Sequence, residues 1–400
     1  MDLQSGYPWW AVRNGLLHTF PPLLQDAVCE VAVVGGGITG LLVARELAHH
    51  GHDVLVLERR EYGWGSTAAS TALLQYEIDS PLLALARERG QKSAELIYLS
   101  CARALEELKQ TCVEVGDCGY ASARSLYLAS HSRHLSRLQR EVVARERIGL
   151  ESSWLEPSDL QSEFGISAAG AILTPLAAQM DAYRFTRRLA WQLMGKGAQV
   201  YDAAEISDVQ PSGRSVRLMT RQGTTVRARH VVLCLGYETQ QWCPQKVAKN
   251  RSSYALVTDP VPQLPQAWKK LLLWESKKPY LYARTTPDGR LMVGGEDDAI
   301  DVPARRDRRL KKKAVKLRTK LQDLFPKPLP ETAFSWAGTF AETNDGLPFF
   351  GPHPRTGDRI HYAMAYGGNG IVYSILGAEL IRALIERRSH SLQTEFGFER

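Results

Sequence analysis

Val31-Ala32-Val33-Val34-Gly35-Gly36-Gly37-Ile38-Thr39-Gly40 is the stretch whose reading decides the fold. The residues from Cys29 to Val34 are almost all apolar, which predicts a strand buried inside a parallel sheet. The strand feeds a glycine turn and then a helix opened by Ile38 and Thr39. Gly35, Gly37 and Gly40 match G-x-G-x-x-G, the dinucleotide fingerprint. Gly35 makes the tight turn, Gly37 lets backbone approach a pyrophosphate, and Gly40 lets the helix pack against the strand. The helix N-terminus offers free N–H groups and partial positive charge to phosphates.

Leu41 to His50 continues as a helix and stops at Gly51, a good C-terminal cap. A second apolar strand, Asp53 to Leu57, ends at Glu58, 23 positions after Gly35. An acid at that spacing binds the two hydroxyls of an adenosine ribose. Strand, turn, helix, strand and acid in this order carry far more weight than the three glycines alone.

A chain of 400 residues implies two domains. Its hydrophobic fraction of 44% and charged fraction of 23% are ordinary for a soluble globular protein. No apolar run approaches the ~18–20 residues that span a bilayer, so no transmembrane segment is expected. Met1 to Ala11 lacks the pattern of a signal peptide. The six cysteines form no C-x-x-C pair and no zinc-like spacing, and Cys29 and Cys234 fall in apolar strand patterns. A reducing, cytoplasmic setting is the expectation. The net charge is +7, and Arg305 to Lys320 holds ten basic residues against the single acid Asp307. That run fits a nucleic-acid or membrane-surface patch. It also fits a packed helix, because Leu310, Ala314, Leu317, Leu321 and Leu324 recur at helical spacing and leave the bases on a solvated face. The second reading is preferred, and no nucleic-acid partner is expected.

Along the chain, residues 1–28 look like an irregular lead-in rich in Pro, Trp and Gly. Gly63 to Ala72 is small and hydroxyl-rich, suited either to a plain loop or to backbone lying close to a bulky ligand. Two helices joined near Gly90 are predicted over 80–115, with Pro81 at the first start. A strand at 125–129 and a basic amphipathic helix at 131–148 follow. After a strand at 171–174, Asp181 caps a helix over 182–194. Short strands at 199–201 and 205–209 lead through a hairpin at Pro211-Ser212-Gly213 to 216–218. Strand 230–236, ending in Gly236, reads as a return to the first sheet. Antiparallel strands at 254–259 and 280–294 are predicted, with a turn at Pro287-Asp288-Gly289-Arg290. The basic helix comes next, and then a strand about Phe334-Ser335-Trp336. The end repeats the opening device: a strand over 360–365, a turn at Gly367-Gly368-Asn369-Gly370, and a helix from Ile371 to Glu386.

With these motifs in place, most of the chain resembles the flavin-dependent amine oxidoreductases of the D-amino-acid oxidase, glycine oxidase and sarcosine oxidase family. The resemblance rests on Val33 to Gly40; Gly65-Ser66 with Ala68-Ala69; and Gln179-Met180-Asp181-Ala182-Tyr183-Arg184. It rests further on Val231 to Gly236; Asp288-Gly289-Arg290 leading to Gly294-Gly295; Thr343-Asn344-Asp345-Gly346-Leu347-Pro348; and Gly367 to Ile371. It implies an α/β fold with a discontinuous Rossmann-like FAD-binding domain, here residues 1–80, 165–245 and 335–400. An α+β substrate domain built on an antiparallel sheet, residues 81–164 and 246–334, would be interposed. Gly35, Gly37, Ile38, Thr39 and Gly40 would take the pyrophosphate, and Glu58 with Arg59 the adenosine ribose. Ser66 and Ala69 would meet the middle of the cofactor, and Ile206 the adenine, with Gly236 closing the return strand. Gly367, Gly368, Asn369, Gly370 and Ile371 would approach the flavin.

Trp336-Ala337-Gly338-Thr339-Phe340 holds no cysteine, so the resemblance implies noncovalent FAD. For the substrate carboxylate, the arginine and tyrosines the family uses find their nearest counterparts in Arg284, Tyr280 and Tyr282. A solvated arginine and two core tyrosines fit those positions equally well. The activity implied is hydride transfer from the carbon bearing nitrogen to flavin N5, giving an imine that hydrolyses. A small amine or amino acid would be the substrate, and oxygen or an electron carrier the acceptor. Two other readings keep the fold: a flavoprotein acting on a modified nucleoside in RNA through the basic helix, and a flavoprotein subunit of a larger complex.

Overall fold

The fingerprint strand, Ala27–Val34, sits inside a parallel sheet, and its last four residues are buried. Val54–Leu57 pairs with it on one side and Thr225–Leu233 on the other, both parallel. The return strand therefore does reach the first sheet. Gln199–Tyr201 and Ile360–Met364 extend the sheet outward in parallel, and Phe349–Pro352 closes one edge antiparallel. The hairpin of Ile206–Ser212 and Ser215–Thr220 hangs from Thr225–Leu233. Side chains alternate between the two faces. Val31 and Val33 pack under the helices Ile38–His49, Gln91–Val115 and Gly370–Ile385. Ala32 and Val34 join a second core with Val216, Leu218 and Tyr362.

This computed structural model describes residues 3–15, 17–299 and 301–400; of the lead-in, residues 1, 2 and 16 lie outside the described residues. Among the described residues the strands form two sheets, one of eight strands and one of ten. The ten-stranded sheet runs Gln4–Gly6, Thr332–Thr343, Ala248–Thr258, Leu291–Asp298, Leu281–Thr285, Leu271–Glu275, Ala121–Leu128, Ala171–Gln179 and Leu73–Gln75, with Ser153–Leu155 paired to Ala171–Gln179. Its pairings are antiparallel except that of Leu271–Glu275 with Ala121–Leu128. Ala171–Gln179 thus belongs to this sheet, whereas Gln91–Val115 shares a core with the fingerprint strand.

The lead-in is not irregular. Gln4–Gly6 pairs with Thr332–Thr343, and Trp9–Asn14 is a helix. Trp10 Nε1 donates to the Ser70 carbonyl at 2.9 Å, and Trp336 Nε1 donates to that of Ala69 at 2.8 Å. These two indoles fix the small, hydroxyl-rich segment, of which Ser66–Ala69 is a single helical turn.

The basic run forms the helix Pro303–Leu324, with Ala314, Leu317 and Leu321 buried as the apolar spacing predicts. The bases are not all on a solvated face. Arg309 meets Asp298 at 2.9 Å, and Lys313 meets Asp298 at 3.0 Å and Glu296 at 3.5 Å. Lys316 reaches Glu296 at 3.5 Å, and Lys320 also pairs with it. These four residues follow one helical stripe laid along the acids of Leu291–Asp298. Burial alone raises the Glu296 carboxyl pKa; Lys320, Lys313 and Lys316 more than offset it and hold it below its ordinary value. Arg306 is fully buried, donating to Ser5 Oγ at 2.7 Å and pairing with Asp301 at 2.9 Å. No helix among the described residues is long and apolar enough to cross a membrane.

Candidate active site

A cavity of 940 Å³ opens where the two sheets meet, and both glycine turns line it. Gly35 has φ +115°, and a Cβ there would lie 2.3 Å from the Cys234 carbonyl oxygen, so the first turn requires glycine. A Cβ on Gly40 would lie 1.9 Å from the Gly35 oxygen. Gly40 does not line the cavity; it seats the helix directly on the turn. Gly37 is different. Its missing Cβ would meet only Thr67 Oγ1, at 3.3 Å, so backbone there faces open space. Gly36, to which the sequence assigned no role, lies against the Tyr62 ring, where a Cβ would come within 2.5 Å.

The cap residue of the helix Ile38–His49 is Gly37, which has no side chain to cap it. Ile38 N–H donates to Thr67 Oγ1 at 3.1 Å, while Thr39 and Gly40 lack an intrahelical acceptor by position. The helix Gly370–Ile385 is likewise without a side-chain cap. Asn369, at its cap position, instead donates through Nδ2 to the carbonyls of Gln75 at 2.7 Å and Glu77 at 3.0 Å. Thr39 Oγ1 and Ser374 Oγ lie 2.8 Å apart and tie the two helices together. Two helix N-termini thus border one cavity. In the second turn, however, Gly367 N–H donates to the Ala341 carbonyl at 2.9 Å and Gly368 N–H to Asp79 at 2.8 Å. The free donors are those of the first helical residues, Gly370 and Ile371.

Glu58 lines the cavity and accepts from Gly36 N–H at 2.7 Å and Arg60 N–H at 2.9 Å. Burial raises its carboxyl pKa, against the pull of those two bonds and of Arg59. Arg59 pairs with Glu238 at 2.5 Å, joining the segments that follow the two strands flanking Ala27–Val34. Ser66, Ala69, Ile206 and Gly236 line the same cavity, as do Gly367, Gly368, Asn369, Gly370 and Ile371.

Tyr280 and Tyr282 line another part of it, with ring centroids 5.8 Å apart. Tyr282 stands opposite Gly294 on the neighbouring strand, and a Cβ on Gly294 would lie 2.3 Å from its ring. Arg284, expected beside the tyrosines, does not line the cavity. It is 2% exposed, with its guanidinium 4.9 Å from the Trp10 ring centroid and Nη2 donating to the Met180 carbonyl at 2.8 Å. Burial lowers its pKa to about 9, although Asp181 acts the other way. The helix Trp9–Asn14 covers this position, and a lead-in read as irregular gave no sign of it. Asp79, Asp297 and Glu342 line the cavity near the tyrosines and were also missed.

Residues 30–384 match the FAD dependent oxidoreductase family. The chain belongs to that family. The oxidoreductase is 29% identical over 380 residues to the glycine oxidase of Geobacillus kaustophilus, covering 90% of this chain and 93% of that one. It is 24% identical over 397 residues to the gamma-glutamylputrescine oxidoreductase of Escherichia coli, covering 94% and 88%. The crystal structure of glycine oxidase from Geobacillus kaustophilus superposes with a TM-score of 0.77 at 23% identity, over 94% of this chain and 99% of that one.

The cofactor is FAD, and the cavity fits it. Ser66 Oγ and Gln75 Oε1 are buried on its wall without a hydrogen-bond partner among the described residues. Buried polar atoms ordinarily have partners, and a polar cofactor would supply them. The open backbone at Gly37 and the two uncapped helix ends meet the same requirement for its phosphates.

Proposed function

We propose that the oxidoreductase oxidises the C–N bond of a small amine or amino acid on noncovalently bound FAD. One observation carries this: a single cavity joins two uncapped helix N-termini to a wall of tyrosines. The amine and amino-acid oxidoreductases among its relatives support it. When bound, FAD supplies a hydride acceptor at N5, opposite the carbon that bears nitrogen. Gly35, Gly37 and Thr39 would hold the pyrophosphate, Glu58 the ribose, and Ile206 would lie by the adenine, while Gly40 seats the helix that presents them. Gly370 and Ile371 would offer free N–H groups, at the positive end of their helix, to negative charge on the reduced cofactor. Tyr280 and Tyr282 wall in the substrate over the reacting face. The imine product hydrolyses in water, and oxygen or an electron carrier takes the electrons. A cytoplasmic setting, where thiols stay reduced, belongs to this reading.

The test is anaerobic titration of the purified holoenzyme with a panel of amines and amino acids. Loss of the oxidised-flavin absorption with at least one of them is expected; a spectrum unmoved by the whole panel would falsify the reading. Acid precipitation should leave yellow FAD in the supernatant, and a pellet that keeps its flavin refutes the noncovalent assignment.

Glu58→Ala should weaken FAD at least about tenfold, since a charge-assisted hydrogen bond contributes roughly 1.5–3 kcal/mol. Part of that loss would come from freeing Gly36 N–H, so Glu58→Gln is the finer probe. It retains a carbonyl acceptor for Gly36 and should lose less. Equal FAD affinity in Glu58→Ala and the parent, measured by equilibrium dialysis, removes Glu58 from the site.

A further inference from the structure

The carboxylates near Tyr280 and Tyr282 bear on which substrates the oxidoreductase takes. The strand Leu291–Asp298 is bulged near its end: Ser252 pairs with Asp298 and Tyr254 with Gly295, so Glu296 and Asp297 together oppose Ser253. Glu296 has φ +57° and Gly295 φ +131°. Such bulges re-aim side chains beside active sites. Glu296 and Asp298 go to the lysines and arginine of Pro303–Leu324, while Asp297 lines the cavity. Asp297 Oδ1 is enclosed and has no hydrogen-bond partner among the described residues.

The other charges nearby do not supply one. Glu342 is bonded to Arg251 at 2.6 Å, and Lys277 to Glu275 at 2.8 Å. Lys278 acts on Asp79, which accepts from Gly368 N–H. Arg284 is withdrawn beneath Trp10. An enclosed carboxylate oxygen between tyrosines, with like charges behind it, calls for a cation.

We infer that Asp297 receives the ammonium group of the arriving substrate, which loses one proton to solvent before its C–H bond reacts, and that the substrate is an alkylamine or diamine rather than an α-amino acid. This rests on the amine-oxidising reading above and narrows it. An α-carboxylate placed here would face Asp297, whose enclosed oxygen has no partner among the described residues, because Arg251 is taken up by Glu342 and Lys278 acts on Asp79. A second cationic end, as in a diamine, adds to the attraction. Burial, then the like charges of Glu342 and Asp79, push the Asp297 carboxyl up to about 6, against Ser253 and Lys313, so cation binding should weaken as pH falls below that value.

The experiment compares two probes that share a tert-butyl group on the oxidised holoenzyme: protonated tert-butylamine, which has no hydrogen on the carbon bearing nitrogen and cannot be oxidised, and pivalate. Each is titrated while the flavin spectrum is read. The ammonium should bind at least about tenfold more tightly than pivalate, and Asp297→Asn should remove that preference while keeping its FAD. Tighter binding of pivalate, or an unchanged preference in Asp297→Asn, overturns the inference. If the variant does not fold, the ratio in the parent enzyme decides. Binding does not depend on turnover, so ammonium binding with no flavin reduction by any amine would sink the amine-oxidising reading and leave the cation site standing. Flavin reduction by glycine in an enzyme that prefers pivalate would do the reverse.

Discussion

Gly40→Ala should yield a chain without bound FAD and with a lower unfolding free energy. The added methyl carbon would lie 1.9 Å from the Gly35 carbonyl oxygen, 3.1 Å from its carbon and 3.3 Å from Cys234 Cβ. Two of those three atoms are backbone, so no rotamer relieves the contact. Either the helix Ile38–His49 lifts off the turn or the turn opens. The helix is packed through Leu41, Val43 and Leu47 into the same core as Val31 and Val33, so lifting it disturbs the centre of the eight-stranded sheet. Overpacking of this kind costs about 1–3 kcal/mol, and more where backbone is the obstacle. Opening the turn instead displaces the free N–H groups proposed to hold the pyrophosphate. Flavin absorption after gel filtration and a urea titration measure the two effects separately. Gly195→Ala is the control: a Cβ there meets nothing within 4 Å, and it should keep its flavin. A Gly40→Ala protein with full flavin content would show that the turn tolerates what the geometry forbids.

The parts of the fold that were legible in the sequence are those whose signal is local. The strand, turn and helix at 27–49 announce themselves within about twenty residues. The strands read at 230–236 and 360–365 are apolar runs followed by glycine, and they fall on Thr225–Leu233 and Ile360–Met364. Asp181 was readable as a cap, and its carboxylate accepts from Arg184 N–H at 2.9 Å. What stayed hidden depends on distant partners. Leu271–Glu275 is a short apolar run between lysines, and its parallel neighbour Ala121–Leu128 comes far earlier in the chain. Gln4–Gly6 has no strand-like side chains at all and is a strand only because Thr332–Thr343 offers an edge. The site divides the same way. The two glycine turns were visible. The strand with Tyr282 and Arg284 was visible too, but nothing near Arg284 in sequence tells that Trp10 lies over it. Asp79 on Gly368 and Tyr62 under Gly36 are likewise contacts between segments, with no local pattern to reveal them.

Arg145→Leu should destabilise the protein by about 3–5 kcal/mol, the usual cost of breaking a buried ion pair from one side. Arg145 is 1% exposed, and its Nη1 lies 2.6 Å from Glu77 and its Nε 3.4 Å from Glu141, both as deeply buried. Leucine leaves two carboxylates in the interior. Glu141 still accepts from Leu82 N–H at 2.6 Å and Leu83 N–H at 3.2 Å, at the start of the helix Leu82–Arg89, so it keeps compensation. Glu77 keeps only the Thr174 hydroxyl at 3.3 Å on the same oxygen, and its other oxygen already lacks a hydrogen-bond partner among the described residues. The strain should therefore concentrate on the segment around Glu77. That segment supports the second glycine turn: the Glu77 carbonyl accepts from Asn369 at 3.0 Å, and Asp79 accepts from Gly368 N–H at 2.8 Å. Flavin affinity should fall along with stability, although Arg145 does not line the cavity. The double variant Arg145→Leu/Glu77→Gln removes the uncompensated charge and should recover more than half of the stability and most of the flavin. A cycle of the two single variants and the double, followed by urea titration and FAD content, gives the coupling directly. If the double variant is no better than Arg145→Leu alone, the loss comes from packing, and the buried charge is not what holds this segment beneath the second glycine turn.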